Sequence, residues 1–311
     1  MTNTATFRIG VLCLALLVGA FLPGCIIVSN DYNDRPQFSD TRTLRAPFAQ
    51  GQALDLTTRN GSVEISTSPG SEAVITATVR GRTQERVDEA KVVASNSPEG
   101  LRLEVAWPDG RAQSGDGCAF RIQLPAPGRV IARTSNGRLT LQGASGQADL
   151  DTSNGSIRVY DHAGSLHAET SNGSIEARRV SGDVDANTSN AAIDLVEVGG
   201  RAFATTSNGH ITIQLSDSSP GPIQARSSNG GIELDLGRSF AGELRLSTSN
   251  GRIRFDTPVT VRDFNSDRSA TLQFGAPGTG SSSTAATSNG SIRVLSHTSA
   301  REPAGSVHAG N

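Results

Sequence analysis

The stretch Thr152-Ser-Asn-Gly-Ser-Ile-Arg-Val-Tyr-Asp-His-Ala-Gly-Ser-Leu-His-Ala-Glu-Thr-Ser-Asn-Gly173 decides the fold. It opens and closes on one phrase, Thr-Ser-Asn-Gly, eighteen residues apart, and a further glycine, Gly164, divides it in half. Apolar residues alternate at Ile157 and Val159 in the first half and at Leu166 and Ala168 in the second. Alternation with period two makes each half a strand with one buried face. The Asn of the phrase recurs at Asn136, Asn154, Asn172, Asn190 and Asn208, then at Asn229, Asn250 and Asn289, with an outlying copy at Asn60. Internal repetition at a short fixed period is the signature of stacked architectures.

Two arrangements fit strand and turn alternating at nine residues: an antiparallel meander, and a flattened solenoid in which each eighteen-residue pair makes one coil. In a meander, like turns recur about 9 to 10 Å apart and nothing requires them to match. In a solenoid the Asn residues stack about 4.8 Å apart and their side-chain amides can hydrogen-bond in a ladder, so the repetition has a physical cause. The chain is therefore read as all-β, a flattened β-solenoid of about 18-residue two-stranded coils with an N-terminal cap region containing one short helix. One copy of the phrase is Asn190-Ala191, and an Ala forced to positive φ would cost about 1 kcal/mol or more. Asn rather than Gly is accordingly expected at the left-handed backbone position, with Gly present for close packing. A lone coil buries too few aliphatic side chains to offset the ordering of its backbone, so the coils must be consecutive.

Outward from the repeats, residues 1–24 read as a secretion signal: Arg8 precedes an apolar run from Ile9 to Leu22, shorter than the roughly 20 residues a membrane span needs. Leu22-Pro23-Gly24-Cys25 resembles a bacterial lipobox, which implies a lipid on Cys25, with Pro23 a departure from the usual small residue. Residues 25–43 form a polar, Pro-containing tether. Residues 44–127 hold a first coil, around Asn60, and the cap region, where Gln84 to Ala94 carries Val87, Ala90 and Val93 or Ala94 at helical spacing behind Thr83 as N-cap. Residues 128–298 carry the solenoid repeats and a C-terminal cap, with a Gly-Ser-rich loop from Gly275 to Ser283, and 299–311 read as a disordered tail. Cys13 leaves with the signal and Cys25 takes the lipid, so Cys118 remains alone and the fold rests on stacking rather than on a disulfide.

The repeated Asn-Gly-x-Ile phrase resembles the bacterial putative-adhesin β-solenoid family of unknown function. So do the opening strand at Asn60-Gly-Ser-Val-Glu-Ile65, the helical interruption, and Phe120-x-Ile-x-Leu-Pro125 before the first regular coil. The resemblance covers about residues 45–296. It implies an envelope-associated β-solenoid with no established enzyme activity and no catalytic residues to carry over.

Net charge is −2 and Lys91 is the single lysine among the basic residues, which excludes a basic nucleic-acid surface. No nucleophile–base pattern or phosphate loop occurs, so no catalytic residue and no cofactor is expected. Asp149, Asp151, Glu169, Asp183 and Asp185 fall on outward positions of successive coils. Such a strip is a solvated acidic face or, with carboxylates about 5 Å apart, a seat for a hard cation. Hydroxyl arrays can organise water, but Thr152, Thr170 and Thr188 fall on inward positions. The expected function is non-catalytic: a membrane-anchored lipoprotein of the cell envelope, directed to the outer membrane, whose flat repetitive faces serve adhesion or bind an envelope component, a glycan or an envelope protein. A lyase-like carbohydrate enzyme and a purely structural envelope scaffold are the alternatives.

Overall fold

The structure is a computed structural model that describes residues 38–256, 260–276, 278 and 280–296. Cys13, Cys25, most of the tether and the tail lie outside the described residues. Among the described residues two long sheets face each other, one of twelve strands and one of thirteen. Each regular coil contributes one strand to each sheet. Ile157–His162 lies in the first, Leu166–Thr170 in the second, and Ile175–Val180 is back in the first. Neighbouring coils pair in parallel and in register: Asp149 faces His167, which faces Asp185, and Arg158 faces Glu176, which faces Asp194. The chain is a flattened β-solenoid.

Period-two alternation places the core. Ile157, Val159, Ile175, Ala177, Ile193 and Leu195 point inward from one sheet, and Leu166, Ala168, Val184, Ala186, Ala202 and Ala204 from the other, all essentially inaccessible to solvent. The larger side chains of the first sheet meet many alanines on the second, which keeps the two layers close.

At the N-terminal end ordered structure starts earlier than Leu44. Phe38–Pro47 is a strand, paired antiparallel with Glu72–Gly81, so residues from Phe38 belong to the folded body rather than to the tether. Its faces alternate in burial along Asp40, Arg42 and Leu44, a pattern that the charged residues conceal in the sequence. The helix is also shorter than its spacing suggests, Gln84–Glu89, with the Thr83 hydroxyl accepting from the Arg86 N–H at 3.3 Å. Lys91–Ser97 continues as an edge strand, because it finds an antiparallel partner in Gly100–Ala106. These antiparallel pieces occupy the end of the stack, where an open sheet edge would otherwise invite further pairing.

At the C-terminal end the coils are not stacked in chain order. Ser283–Thr287 lies between Ile223–Ser227 and Gly242–Thr248, and Ile292–Ser296 lies between Ile232–Leu236 and Ile253–Asp256. The last coil in sequence is thus intercalated beneath the one before it. The expected Gly275–Ser283 loop lies partly outside the described residues, and the cap is the antiparallel hairpin of Thr260–Ser266 with Ser269–Phe274 against Gly242–Thr248.

Candidate functional site

Three features could carry function: the corners, the outer faces, and an irregular corner where coil length changes.

At the corner of the repeated phrase each residue type has a separate task. Thr points inward, with Thr152, Thr170 and Thr188 buried. Its hydroxyl donates to the glycine carbonyl of the preceding coil: Thr152 to Gly137, Thr170 to Gly155 and Thr188 to Gly173, at 2.9–3.0 Å. Ser supplies a carbonyl that receives two backbone N–H groups from the next coil, as Ser135 does from Ser153 and Asn154. Asn side chains form a continuous ladder in the order Asn60, Asn136, Asn154, Asn172, Asn190, Asn208, Asn229, Asn289, Asn250. Each Nδ2 donates to the Oδ1 of the residue before it at 2.5–2.8 Å. Asn60 in turn donates to the Asp116 carbonyl at 2.6 Å, which terminates the ladder on the cap.

The backbone role expected for Asn is not what the corner uses. None of the nine has positive φ, and neither do the glycines that follow them. The glycine is there because coils approach closely: a Cβ built on Gly155, Gly173, Gly209 or Gly230 would sit 1.7–1.8 Å from a backbone oxygen of the neighbouring coil. Asn repeats because its amide carries a donor Nδ2 and an acceptor Oδ1 on separate atoms, so each residue can donate to the coil before it and accept from the coil after it along the stacking axis.

The left-handed residues lie at the opposite corner. Asp161, Arg179 and Glu197 have φ of 55°, 55° and 58° and stack one above another. Each interrupts the alternation by one residue and so turns the next side chain, His162, Val180 or Val198, into the core. Non-glycine residues in this region carry a strain of about 1–3 kcal/mol. Arg179 forms a two-pronged pair with Asp161, at 2.5 and 3.2 Å, which holds the Asp161 carboxyl below the usual carboxylate range. Apolar periodicity does not reveal this corner, whose signal in the sequence is instead charges of alternating sign at eighteen-residue spacing.

The longer coils abandon that device. In Ile211–Leu215 the alternation runs unbroken to Leu215, which faces Val198, and the chain then takes a wider loop through Ser216, Asp217, Ser218 and Ser219. Where short coils meet long ones, a concavity of about 490 Å³ opens, lined by Arg179, Glu197, Gln214, Ser216 and Asp217 among others.

On the outer face of the second sheet the five acidic residues do not form one carboxylate row. His167 stands between Asp149 and Asp185, with Nδ1 3.4 Å from Asp185. Arg133 lies 3.2 Å from Asp149. Asp183 belongs to another row and is clasped by the Arg201 side chain at 2.7 Å and by its N–H at 2.8 Å, which holds the carboxyl below its ordinary range. Asp151 over Glu169 is the one stacked carboxylate pair of the strip. Among the described residues no group of three or more metal-ligating side chains converges. Next to Asp185 the row continues with Phe203, half-buried, with the Arg201 guanidinium 5.7 Å from its ring centre, and then Gln224.

The outer face of the first sheet is a compensated network. Arg178 reaches Glu176 at 2.6 Å and Asp194 at 3.2 Å, Arg158 lies 3.7 Å from Glu176, and the Tyr160 hydroxyl donates to Glu176 at 3.2 Å. The Arg178 hydrogen bond holds the Glu176 carboxyl down. In the cap, Arg86 joins the buried Asp116 at 2.7 Å and Asp109 at 2.8 Å, a cluster with no counterpart in the repeats. Cys118 is buried, and burial pushes its thiol up to about 12, so it is no thiolate at neutral pH. Among the described residues no helix is long and apolar enough to cross a membrane.

The model of a domain of unknown function, DUF7330, matches residues 165–296. No curated protein matches. Among solved structures the chain is similar to a putative adhesin from Bacteroides fragilis NCTC 9343, at 10% identity and TM-score 0.44, covering 83% of this chain and 97% of that one. It is also similar to a putative cell adhesion protein from Clostridium sporogenes ATCC 15579, at 11% identity and TM-score 0.24, covering 83% and 100%. A third is a putative adhesin from Parabacteroides distasonis ATCC 8503, at 11% identity and TM-score 0.36, covering 82% and 97%. The chain is thus similar to solved bacterial proteins described as putative adhesins, and the matched domain is one of unknown function.

Proposed function

We propose that the protein is a cell-envelope lipoprotein, held to a membrane by lipid on Cys25, that uses the outer face of its second sheet to bind another envelope component without catalysis. The observation that carries the binding role is the row Asp149, His167, Asp185, Phe203 and Gln224, displayed at the fixed spacing of parallel strands. A rigid sheet holds side chains more accurately than loops do, so little ordering cost remains to be met on binding. A half-buried aromatic ring beside carboxylate and amide groups suits the alternating apolar and hydroxyl surface of a glycan, and equally an extended protein segment. Lipid on Cys25 with Ile26 following, rather than Asp, favours the outer membrane as the destination.

The mature body, applied to a glycan array and to solubilised envelope fractions, is expected to retain a ligand that Phe203→Ser releases. Equal retention by wild type and variant would remove the face from the account. Separately, Cys25→Ser is expected to move the protein from the membrane to the soluble fraction, and unchanged membrane association would remove the anchor.

A further inference from the structure

Eight of the nine corner Asn residues precede Gly. Asn-Gly is the dipeptide most open to deamidation, because a glycine N–H meets no side-chain obstruction on its way to the neighbouring amide carbon. In that reaction the glycine nitrogen loses its proton and attacks Asn Cγ. A C–N bond forms, the Cγ–Nδ2 bond breaks, and ammonia leaves with the proton. Water then opens the succinimide to Asp or isoaspartate. A protein that exposes a row of such sites should degrade along its whole length unless the corner itself blocks the attack.

We propose that the buried hydroxyl of the repeated phrase is that block, and that Asn60 and Asn136 are the modification sites it leaves open. In six corners the glycine N–H donates to the hydroxyl three residues before it. The pairs are Gly155 to Thr152, Gly173 to Thr170, Gly209 to Thr206, Gly230 to Ser227, Gly251 to Thr248 and Gly290 to Thr287, at 2.9–3.3 Å. The bond holds the nitrogen toward the core and away from the exposed Asn amide. It also ties up the proton that must leave. The Asn ladder adds to this by fixing each amide along the stacking axis.

At the junction of cap and repeats the clamp is missing. Among the described residues the Thr58 and Thr134 hydroxyls accept no glycine N–H. Thr58 donates to the Cys118 carbonyl at 2.9 Å, and Thr134 to the Gly61 carbonyl at 3.2 Å. Gly61 and Gly137 therefore keep unengaged nitrogens beside Asn60 and Asn136. Conversion of Asn136 to Asp would set a carboxylate oxygen against Asn60 Oδ1, where an N–H now donates. Isoaspartate would lengthen the backbone at a corner where Gly137 has no room for even a methyl group. The modification would thus loosen the cap from the solenoid and leave the coils beyond it clamped.

The test is site-resolved peptide mapping by mass spectrometry of the full chain held at mildly alkaline pH, folded and in denaturant. In denaturant the eight Asn-Gly sites are expected to convert at similar rates. In the folded protein Asn60 and Asn136 are expected to convert about tenfold faster or more than the six clamped sites, whose reaction waits on local opening. Uniform conversion across the folded chain, or protection of Asn60 and Asn136 equal to the rest, would overturn the proposal. Thr152→Val is expected to raise conversion at Asn154 toward the Asn136 rate while Asn208 stays slow. An unchanged rate at Asn154 would likewise overturn the role of the hydroxyl. The wild-type ranking decides the question even where that variant folds poorly.

Discussion

Asn289 donates to Asn229 across sixty residues of chain, and Asn250, whose phrase lies between them in sequence, donates to Asn289 from the other side. The final coil is therefore an interior coil. It closes two interfaces, one with the coil ending at Leu236 and one with the coil ending at Asp256. In a quasi-one-dimensional stack, stability is the sum of repeat and interface contributions, so an interior coil matters more than a terminal one.

Ile292 is accordingly expected to be more sensitive than Ile253. Ile292 is fully buried between Ile232 and Ile253, whereas Ile253 has a neighbouring coil on one side and is 6% exposed. Burial of this kind puts Ile→Ala in the range of about 2–5 kcal/mol. Urea unfolding should place Ile292→Ala toward the top of that range and Ile253→Ala toward the bottom. Equal losses would mean that the last coil is peripheral.

The buried hydroxyl of the corner has a measurable weight. Thr170 both donates to the Gly155 carbonyl and accepts from the Gly173 N–H. Thr170→Val keeps the shape and strands both partners, at about 1–3 kcal/mol for each unsatisfied buried group. Thr170→Ser keeps the hydroxyl and is expected to retain most of the stability, as Ser227 does in its own corner. Comparing the two variants by urea unfolding separates the hydrogen bond from packing.

Glycine at the corner is required by the neighbouring backbone. Gly155→Ala would bring a Cβ to 1.8 Å from the Gly137 carbonyl oxygen, so the coils must separate. Overpacking of this sort costs about 1–3 kcal/mol. At Ala191, the natural exception, the N–H to hydroxyl bond seen in six other corners is not made among the described residues, and separation of the coils at residue 155 would break the same bond from Gly155 to Thr152. Amide hydrogen exchange in Gly155→Ala should therefore rise at residue 155 and stay low at Gly209.

Acid should weaken the fold through its clasped carboxylates. Asp183, held by Arg201, and Glu176, held first by Arg178, both titrate below their ordinary range in the folded protein. A carboxyl with a lowered folded pKa contributes stability that is present above its unfolded pKa of about 4 and is lost as pH falls through the folded value. Unfolding midpoints should be level from neutral pH to about 5 and decline below about 4. Arg178→Ala should return the Glu176 titration, followed by NMR, toward the ordinary carboxylate range. An unmoved titration would assign the depression to another cause.

Much of this was legible because solenoid contacts recur at a fixed sequence separation. Asn154 and Asn172 meet because they are eighteen residues apart, and so do Thr152 and Thr170, Arg158 and Glu176. The same regularity conceals the order of the coils. The phrases at Asn250 and Asn289 are chemically interchangeable, and nothing local states which of them meets Asn229. The Arg86–Asp116 pair spans thirty residues of irregular chain and follows no period. Assigning the left-handed position to Asn failed for a related reason: Asn-Gly is a turn signal in hairpins, but here coil approach and the amide ladder select both residues.

The stacking order is open to one direct measurement. Paired cysteines at Asn229 and Asn289, and separately at Asn229 and Asn250, can be placed in a Cys25→Ser background and oxidised, and the cross-link read by gel mobility and peptide mapping. Adjacent strands lie about 4.8 Å apart, within disulfide reach, and next-nearest strands at about twice that distance lie beyond it. The intercalated solenoid predicts that the 229–289 pair closes and the 229–250 pair does not. Closure of the 229–250 pair with the 229–289 pair left reduced would contradict it.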